Sequence, residues 1–309
     1  MNFSLKNVAE EPVIMVYKAP YEIVKTVNQA GLIKARMSLS KTLILGFLAG
    51  AFIGFGGFLA IMVGGGIPGI QSNNPGLQKF IFGAVFPVGL MLVVIAGSEL
   101  FTGNTAVSIP GLLSGRISWY GWLKNLFLSY TGNLIGSLLI AYFLAYQTNL
   151  LGSAPWLNFT IRLSELKVSA GFWVLFLKGI GCNWLVCLSI WLAMASEEIA
   201  GKILGIWFPI MAFVALGFEH SIANMFFIPV GIFYGAHING YQFVVGNLIP
   251  VTLGNIVGGS FFVGAIYWFV YESKMLSGTR LGMIPAAQDA EDTGVSKNAS
   301  DPLDQILDS

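Results

Sequence analysis

The sequence predicts an all-α integral membrane protein: six transmembrane helices in two inverted three-helix repeats, with the second and fifth helices broken. Three observations carry this expectation. Apolar residues make up 55% of the chain and charged residues only 10%, with a mean hydropathy of +0.75, whereas soluble domains carry about 25% charge. Several apolar stretches approach the roughly 20 residues that a bilayer crossing needs. One polar pattern occurs twice, 120 residues apart: Gly97-Ser98-Glu99-Leu100-Phe101-Thr102-Gly103-Asn104 and Gly217-Phe218-Glu219-His220-Ser221-Ile222-Ala223-Asn224 both read G-x-E-x4-N.

The elements follow in order. Residues 21–35 read as an interfacial helix, with Ile23, Val24, Val27 and Ala30 at helical spacing among Glu22, Lys25 and Gln29. The first 40 residues hold no apolar core of a cleavable signal, so insertion is expected through the first span. The spans are expected at 42–63, 80–95, 123–146, 168–195, 203–234 and 243–270. The second runs into the Gly97–Asn104 pattern and the fifth is interrupted by the Glu219-His220 pair. In the first span Gly46, Gly50 and Gly54 recur every four residues, a spacing that lets helix backbones approach closely. Residues 1–40 thus form a cytoplasmic N-terminal segment and 41–272 the membrane domain, with repeat one at 41–146 and repeat two at 168–271. Residues 273–309, with Asp289, Glu291, Asp292, Asp301, Asp304 and Asp308, read as a disordered acidic tail.

The halves match in three places. Leu48-Ala49-Gly50-Ala51-Phe52-Ile53-Gly54 resembles Leu177-Lys178-Gly179-Ile180-Gly181-Cys182-Asn183. The two G-x-E-x4-N runs match. Asn125-Leu126 with Gly132-Asn133-Leu134-Ile135-Gly136 mirrors Asn247-Leu248 with Gly254-Asn255-Ile256-Val257-Gly258. Three spans per unit is an odd number, so the second unit enters the membrane upside down, as in many transporters and channels.

Charge orients the chain. Lys6, Lys18, Lys25, Lys34, Arg36, Lys41, Arg116, Lys124, Lys202, Lys274, Arg280 and Lys297 fall on one side. Lys79, Arg162 and Lys167 fall on the other, and Lys178 lies within the fourth span. The bias puts both termini in the cytoplasm and the chain in the cell membrane. Asn158-Phe159-Thr160 fits a glycosylation acceptor on the outer side. Cys182 and Cys187 read as buried small side chains, without the partners a disulfide framework or zinc site needs. The net charge of +1 and the lack of a Lys/Arg-rich block with interleaved aromatics argue against a nucleic-acid partner.

Ionisable groups are expensive in hydrocarbon, so by default they mark a pathway or a relay. Irregular backbone at that depth is tolerated only where protein covers it or where it lines a cavity. Two matching polar breaks therefore point to the substrate path of a transport protein. Thr102, Gly103, Asn104 and Thr105 offer donors at the first break; His220, Ser221 and Asn224 offer them at the second. His220 alone changes charge near neutral pH, and two roles stay open: it hands over a proton, or it gates. Glu99 and Glu219 read as caps of freed backbone N–H groups. No carboxylate triad or basic cluster suits a metal or nucleotide, so no cofactor is expected.

At these residues the chain resembles the formate/nitrite transporter family. The run from Gly217 to Met225 is close to that family's signature, and Gly181-Cys182-Asn183-Trp184-Leu185-Val186-Cys187-Leu188 and Gly97 to Thr102 resemble it too. The likeness spans about Lys34 to Glu272. It implies an aquaporin-like protomer with one pore each in a homopentamer. It assigns Thr102 to the loop of the first break and His220 to the pore centre. Phe86 and Phe213 would form an outer apolar constriction, and Leu90, Leu100 and Val186 an inner one. Asn183 and Asn224 would line the pore or support the breaks. Lys34 and Lys167 would draw anions towards the two vestibules. Lys178 has no role in this pattern.

The reading is a channel-like transporter of small monovalent anions or their weak acids, formate first, with pH-dependent or proton-coupled passage. Nitrite, lactate, acetate and hydrosulfide stay open, because a size-and-charge filter separates small weak acids poorly. A water or glycerol channel would show paired Asn-Pro-Ala breaks, which the sequence lacks. A membrane-embedded enzyme using Glu219 and His220 needs a third group or a metal in reach. A structural scaffold would not need polar breaks in both halves.

Overall fold

The computed structural model describes residues 17–272. The expected tail at 273–309 and residues 1–16 of the N-terminal segment lie outside the described residues. Among the described residues six helices are long and apolar enough to cross a membrane: α2 (Leu39–Gly65), α4–α5 (Pro75–Ile95), α8 (Trp119–Tyr146), α10 (Phe172–Ala195), α11 (Ile199–Leu216) and α13 (Gln242–Tyr271). Between and around them lie α1 (Pro20–Arg36), α3 (Pro68–Asn73), α6 (Phe101–Val107), α7 (Ile109–Leu113), α9 (Trp156–Val168) and α12 (Ser221–Phe233). The Phe86-Pro87 step divides the second span into α4 (Pro75–Val85) and α5 (Val88–Ile95), because proline removes a helical donor and crowds the preceding turn.

Both breaks have the same local form. α5 ends before Gly97, whose φ is +75°, and α11 ends at Gly217, whose φ is +74°; such a left-handed residue is the usual stop for a helix and suits glycine. A short extended stretch follows each, ending at Leu100 (φ −90°) and His220 (φ −108°), which start α6 and α12. Helices two and five are thus broken, and the fold is two inverted three-helix repeats.

Glycine sets how closely the paired helices lie. A side-chain carbon on Gly132 of α8 would sit 2.7 Å from the Leu43 carbonyl oxygen of α2. In the second repeat the same carbon on Gly179 of α10 would sit 2.8 Å from the Val251 oxygen of α13. Neither position has room for alanine, which is how close small-residue packing works in membranes.

Three details differ from the sequence reading. The apolar side of α1, assigned to the membrane interface, is covered by protein: Ile23, Val24 and Val27 share one buried cluster with Val107, Ile190 and Trp191. Amphipathic spacing is the same whether a helix lies on lipid or on protein. The fourth span starts at Phe172, and Val168 instead ends the separate helix α9. The tripeptide Asn158-Phe159-Thr160 lies within α9 with Thr160 fully buried, so it is not the surface loop that a glycosylation acceptor needs.

Candidate substrate pathway

A chain that leaves its helix inside a membrane must find new partners for the backbone groups it frees. Asparagine supplies them here. Asn133 accepts the Phe101 N–H at 2.9 Å and donates to the carbonyls of Gly46 (2.7 Å) and Glu99 (2.9 Å). Asn255 accepts the Ser221 N–H at 2.9 Å and donates to the carbonyls of Gly179 (2.9 Å) and Glu219 (3.0 Å). Each amide pins a span, a break and the start of a short helix.

The buried glutamates do not cap backbone N–H groups with their side chains, contrary to the sequence reading. Glu99 pairs with the Lys34 ammonium and accepts from Asn104 (2.8 Å) and Asn125 (3.1 Å). Glu219 pairs with Lys167 at 3.0 Å and accepts from Asn224 at 2.8 Å. A buried carboxylate gains more from a cation with amide donors than from a single peptide N–H. Asn125 and Asn247 close the two rings. They accept from Asn104 and Asn224 at 2.9 and 2.8 Å, and they donate to the carbonyls of Lys34 and Lys167 at 3.2 and 2.6 Å. The lysines come from α1 and α9, so each repeated unit is a short helix followed by three spans.

The centre is where the halves differ. Glu99 and Glu219 correspond, so Leu100 corresponds to His220 and Thr102 to Ile222. The threonine of one half meets the histidine of the other: Thr102 Oγ1 lies 2.9 Å from His220 Nε2. His220 also starts α12, its Nδ1 accepting the Ala223 N–H at 3.0 Å. A peptide N–H can only donate, so Nδ1 carries no hydrogen and the neutral ring holds its hydrogen on Nε2, aimed at Thr102. The Thr102 hydroxyl then has its own hydrogen to give. Asn183 secures this threonine from α10, donating towards the carbonyls of Thr102 (3.1 Å) and Asn255 (2.6 Å) and the Thr105 hydroxyl (2.9 Å). Asn183 and Asn224 are both fully buried within these networks.

A cavity of about 410 Å³ opens on the α9 side and reaches His220. Its charged lining is Lys79, Arg162, Lys167, Lys178 and Glu219. Phe86 and Phe213 also line it. Their rings meet edge to face at 5.9 Å, and Phe213 lies 5.9 Å from the His220 ring. Lys167 sits 5.6 Å above Phe227, a cation–π distance. Leu90, Leu100 and Val186 are buried in the central apolar cluster and do not line this cavity. Lys34 belongs to the other break. The structure thus joins Thr102 with His220, and Lys167 with Glu219 and Asn224, while Lys34 stands apart.

Sequence reasoning missed the roles of Asn125, Asn133, Asn247 and Asn255, though all four lie in the matched repeat segments. A buried amide recurring at one register in an apolar span was the available signal. It also missed Phe82 and Phe227, which line the cavity and cannot be told from lipid-facing phenylalanines by composition. Glu219 and His220 have separate partners rather than forming an acid–base pair, and among the described residues no group of three or more His, Cys, Asp or Glu side chains could hold a metal.

This geometry agrees with what the chain is similar to. The sequence profile described as formate/nitrite transporter matches residues 21–269. A probable formate transporter of Methanothermobacter thermautotrophicus is 50% identical over 274 residues, covering 82% of this chain and 97% of the relative. A solved FNT family ion channel aligns with a TM-score of 0.72 at 34% identity, over 81% of this chain and 98% of its own. A solved pentameric formate channel with formate bound aligns with a TM-score of 0.66 at 34% identity, over 75% and 97%. Duplicated breaks, six spans and a profile match over most of its length lead to one conclusion: the chain is a multi-pass membrane protein that belongs to the formate/nitrite transporter family.

Proposed function

We propose that the protein moves small monovalent anions, formate first, across the cell membrane as their protonated or proton-accompanied forms, in a homopentamer with both termini in the cytoplasm. The observation that carries this reading is the Thr102–His220 hydrogen bond, 2.9 Å long, between two broken helices and at a cavity that His220 lines together with Phe86 and Phe213. The likeness to a pentameric formate channel supports the substrate and the assembly. The Lys and Arg bias supports the orientation.

The path follows from the residues. A cavity with four cationic side chains and one carboxylate raises the local concentration of anions. The Phe86 and Phe213 rings then oppose a bare charge, because apolar walls replace none of its hydration. A proton taken up before the rings removes most of that cost, so the neutral acid crosses. Beyond the rings the Thr102 hydroxyl donates to a carboxyl oxygen. An imidazolium would need a hydrogen on Nδ1, where the Ala223 N–H already points. His220 therefore acts as an orienting donor through Thr102, and the proton travels with the substrate. Leu90, Leu100 and Val186 would form the narrowing towards the Lys34 side.

The test is formate uptake into proteoliposomes with internal pH recorded. Uptake should carry protons and rise with acidity on the entry side between about pH 5 and 8. Thr102→Val should cut it about tenfold, the worth of one good hydrogen bond, and Thr102→Ser should keep it. Formate flux indifferent to pH, or no formate flux, would overturn the reading.

A further inference from the structure

We propose that Lys178 is an anion-binding group of the α9-side cavity, present in only one half of the duplicated scaffold, and that it captures small carboxylates ahead of the Phe86–Phe213 pair. The proposal rests on the transport reading above and adds a residue to it.

The repeat isolates this side chain. The Glu219 N–H bonds the Lys178 carbonyl at 3.4 Å, and the Glu99 N–H bonds the Leu45 carbonyl at 3.2 Å. The next residues, Gly179 and Gly46, receive the equivalent asparagines. This register sets Gly179 against Gly46, one helical turn from the Gly50 with which the sequence match pairs it, so Lys178 stands where the other half has Leu45 rather than Ala49, and both positions are half-buried. The scaffold bonds at this position use only the backbone, so they do not explain an ammonium group.

Electrostatics points the same way. Lys178 is the seventh residue of α10, roughly 9 Å along a membrane-spanning helix. A charge at such a place is costly unless it faces a polar cavity, and Lys178 lines the one that reaches His220. Of the charged groups there, Lys167 and Glu219 neutralise each other. Lys178, Lys79 and Arg162 belong to no ion pair among the described residues. Lys178 also shares the cavity with Gly217, Phe218 and Glu219 of the second break. A lysine is a compact point charge on a flexible stem. It suits brief capture of a monovalent anion better than the two-toothed grip of arginine.

The experiment uses the full chain with Lys178→Leu, Lys178→Arg and Lys178→Glu. Initial rates of formate uptake over a concentration series are paired with line broadening of ¹³C-formate by the detergent-solubilised protein. Lys178→Leu should raise KM roughly threefold to tenfold with little change in maximal rate, one cation's share of the field. Lys178→Glu should raise it further and Lys178→Arg should restore it. Added salt should erase the difference between wild type and Lys178→Leu. Saturable broadening should weaken in the same order. Formate transport by wild type with unchanged KM and broadening in Lys178→Leu would overturn the role of Lys178 and leave the transport reading standing. Wild type without formate flux would overturn the transport reading; broadening then decides on the site, its loss in Lys178→Leu supporting it and its persistence refuting it. A Lys178→Leu variant that loses its native elution profile while Lys178→Arg behaves as wild type in flux and broadening also supports a need for the cation, since the scaffold itself asks only for a backbone carbonyl.

Discussion

The two breaks are built alike and equipped differently. Each has a left-handed glycine, an extended stretch, a buried glutamate paired with a lysine, one asparagine that binds the freed backbone and two that close a ring around the ion pair. Their centres do not match: Leu100 and Thr102 stand opposite His220 and Ile222. The scaffold is the part that membrane physics demands twice, since backbone groups without water must be satisfied in both halves. The chemistry is needed once. Two half-sites, one hydroxyl and one imidazole, meet at 2.9 Å and form a single site. Duplication supplied the frame, and under the proposed function divergence within it supplied the site.

The strongest test of the equivalence is at the asparagines. Asn133→Leu and Asn255→Leu each orphan one buried N–H and take a donor from two carbonyls, at about 1–3 kcal/mol for the orphaned group. Both variants should lose most of their monodisperse peak in size-exclusion chromatography. A collapse confined to one half would break the comparison.

Next come the ion pairs. Lys167→Met leaves Glu219 buried without its cation, at a cost of about 3–5 kcal/mol, and Lys34→Met does the same to Glu99. Thermal unfolding of the solubilised protein should show both losses, and the neutral pairs Lys167→Met with Glu219→Gln and Lys34→Met with Glu99→Gln should recover most of them. Failure of either neutral pair to recover would show that its lysine does more than balance charge.

The smallest effect separates the two leading helices. Asn28 of α1 donates to Glu272 at 2.5 Å, and Arg116 pairs with the same carboxylate. The matching place in α9 is Ile161, which packs against an apolar cluster. Burial pushes the Glu272 carboxyl above its ordinary value, against the pull of Arg116 and Asn28. Its folded-state pKa is raised, so its contribution to stability is complete below the ordinary carboxylate range and fades as pH rises through the raised value. Glu272→Gln should remove that component and move the unfolding temperature by about 2 °C. An unchanged pH profile would place the titration elsewhere.

Much of the frame was legible in the residues. Apolar runs announce spans, and the twin G-x-E-x4-N runs announce the breaks and the duplication. Less was legible at the site. Glu99 and Glu219 read as caps because sequence does not reveal that Lys34 and Lys167 reach them from preceding helices. The helix α9 was hidden, since its residues Trp156 to Val168 mix apolar and charged types without a span's length. The face of α1 read as lipid-seeking because protein and lipid reward the same spacing.

By itself the amino-acid order determined the number of membrane crossings, the odd count that turns the second unit over, and the positions of the polar interruptions. These depend on hydropathy and local backbone preference, which act over a turn or two of chain. The tertiary structure alone decided that Thr102 meets His220 across 118 positions, that Asn133 and Asn255 hold the breaks, and that Lys178 faces a cavity rather than lipid. Those are contacts between distant segments, and their energies exist only once the spans have packed.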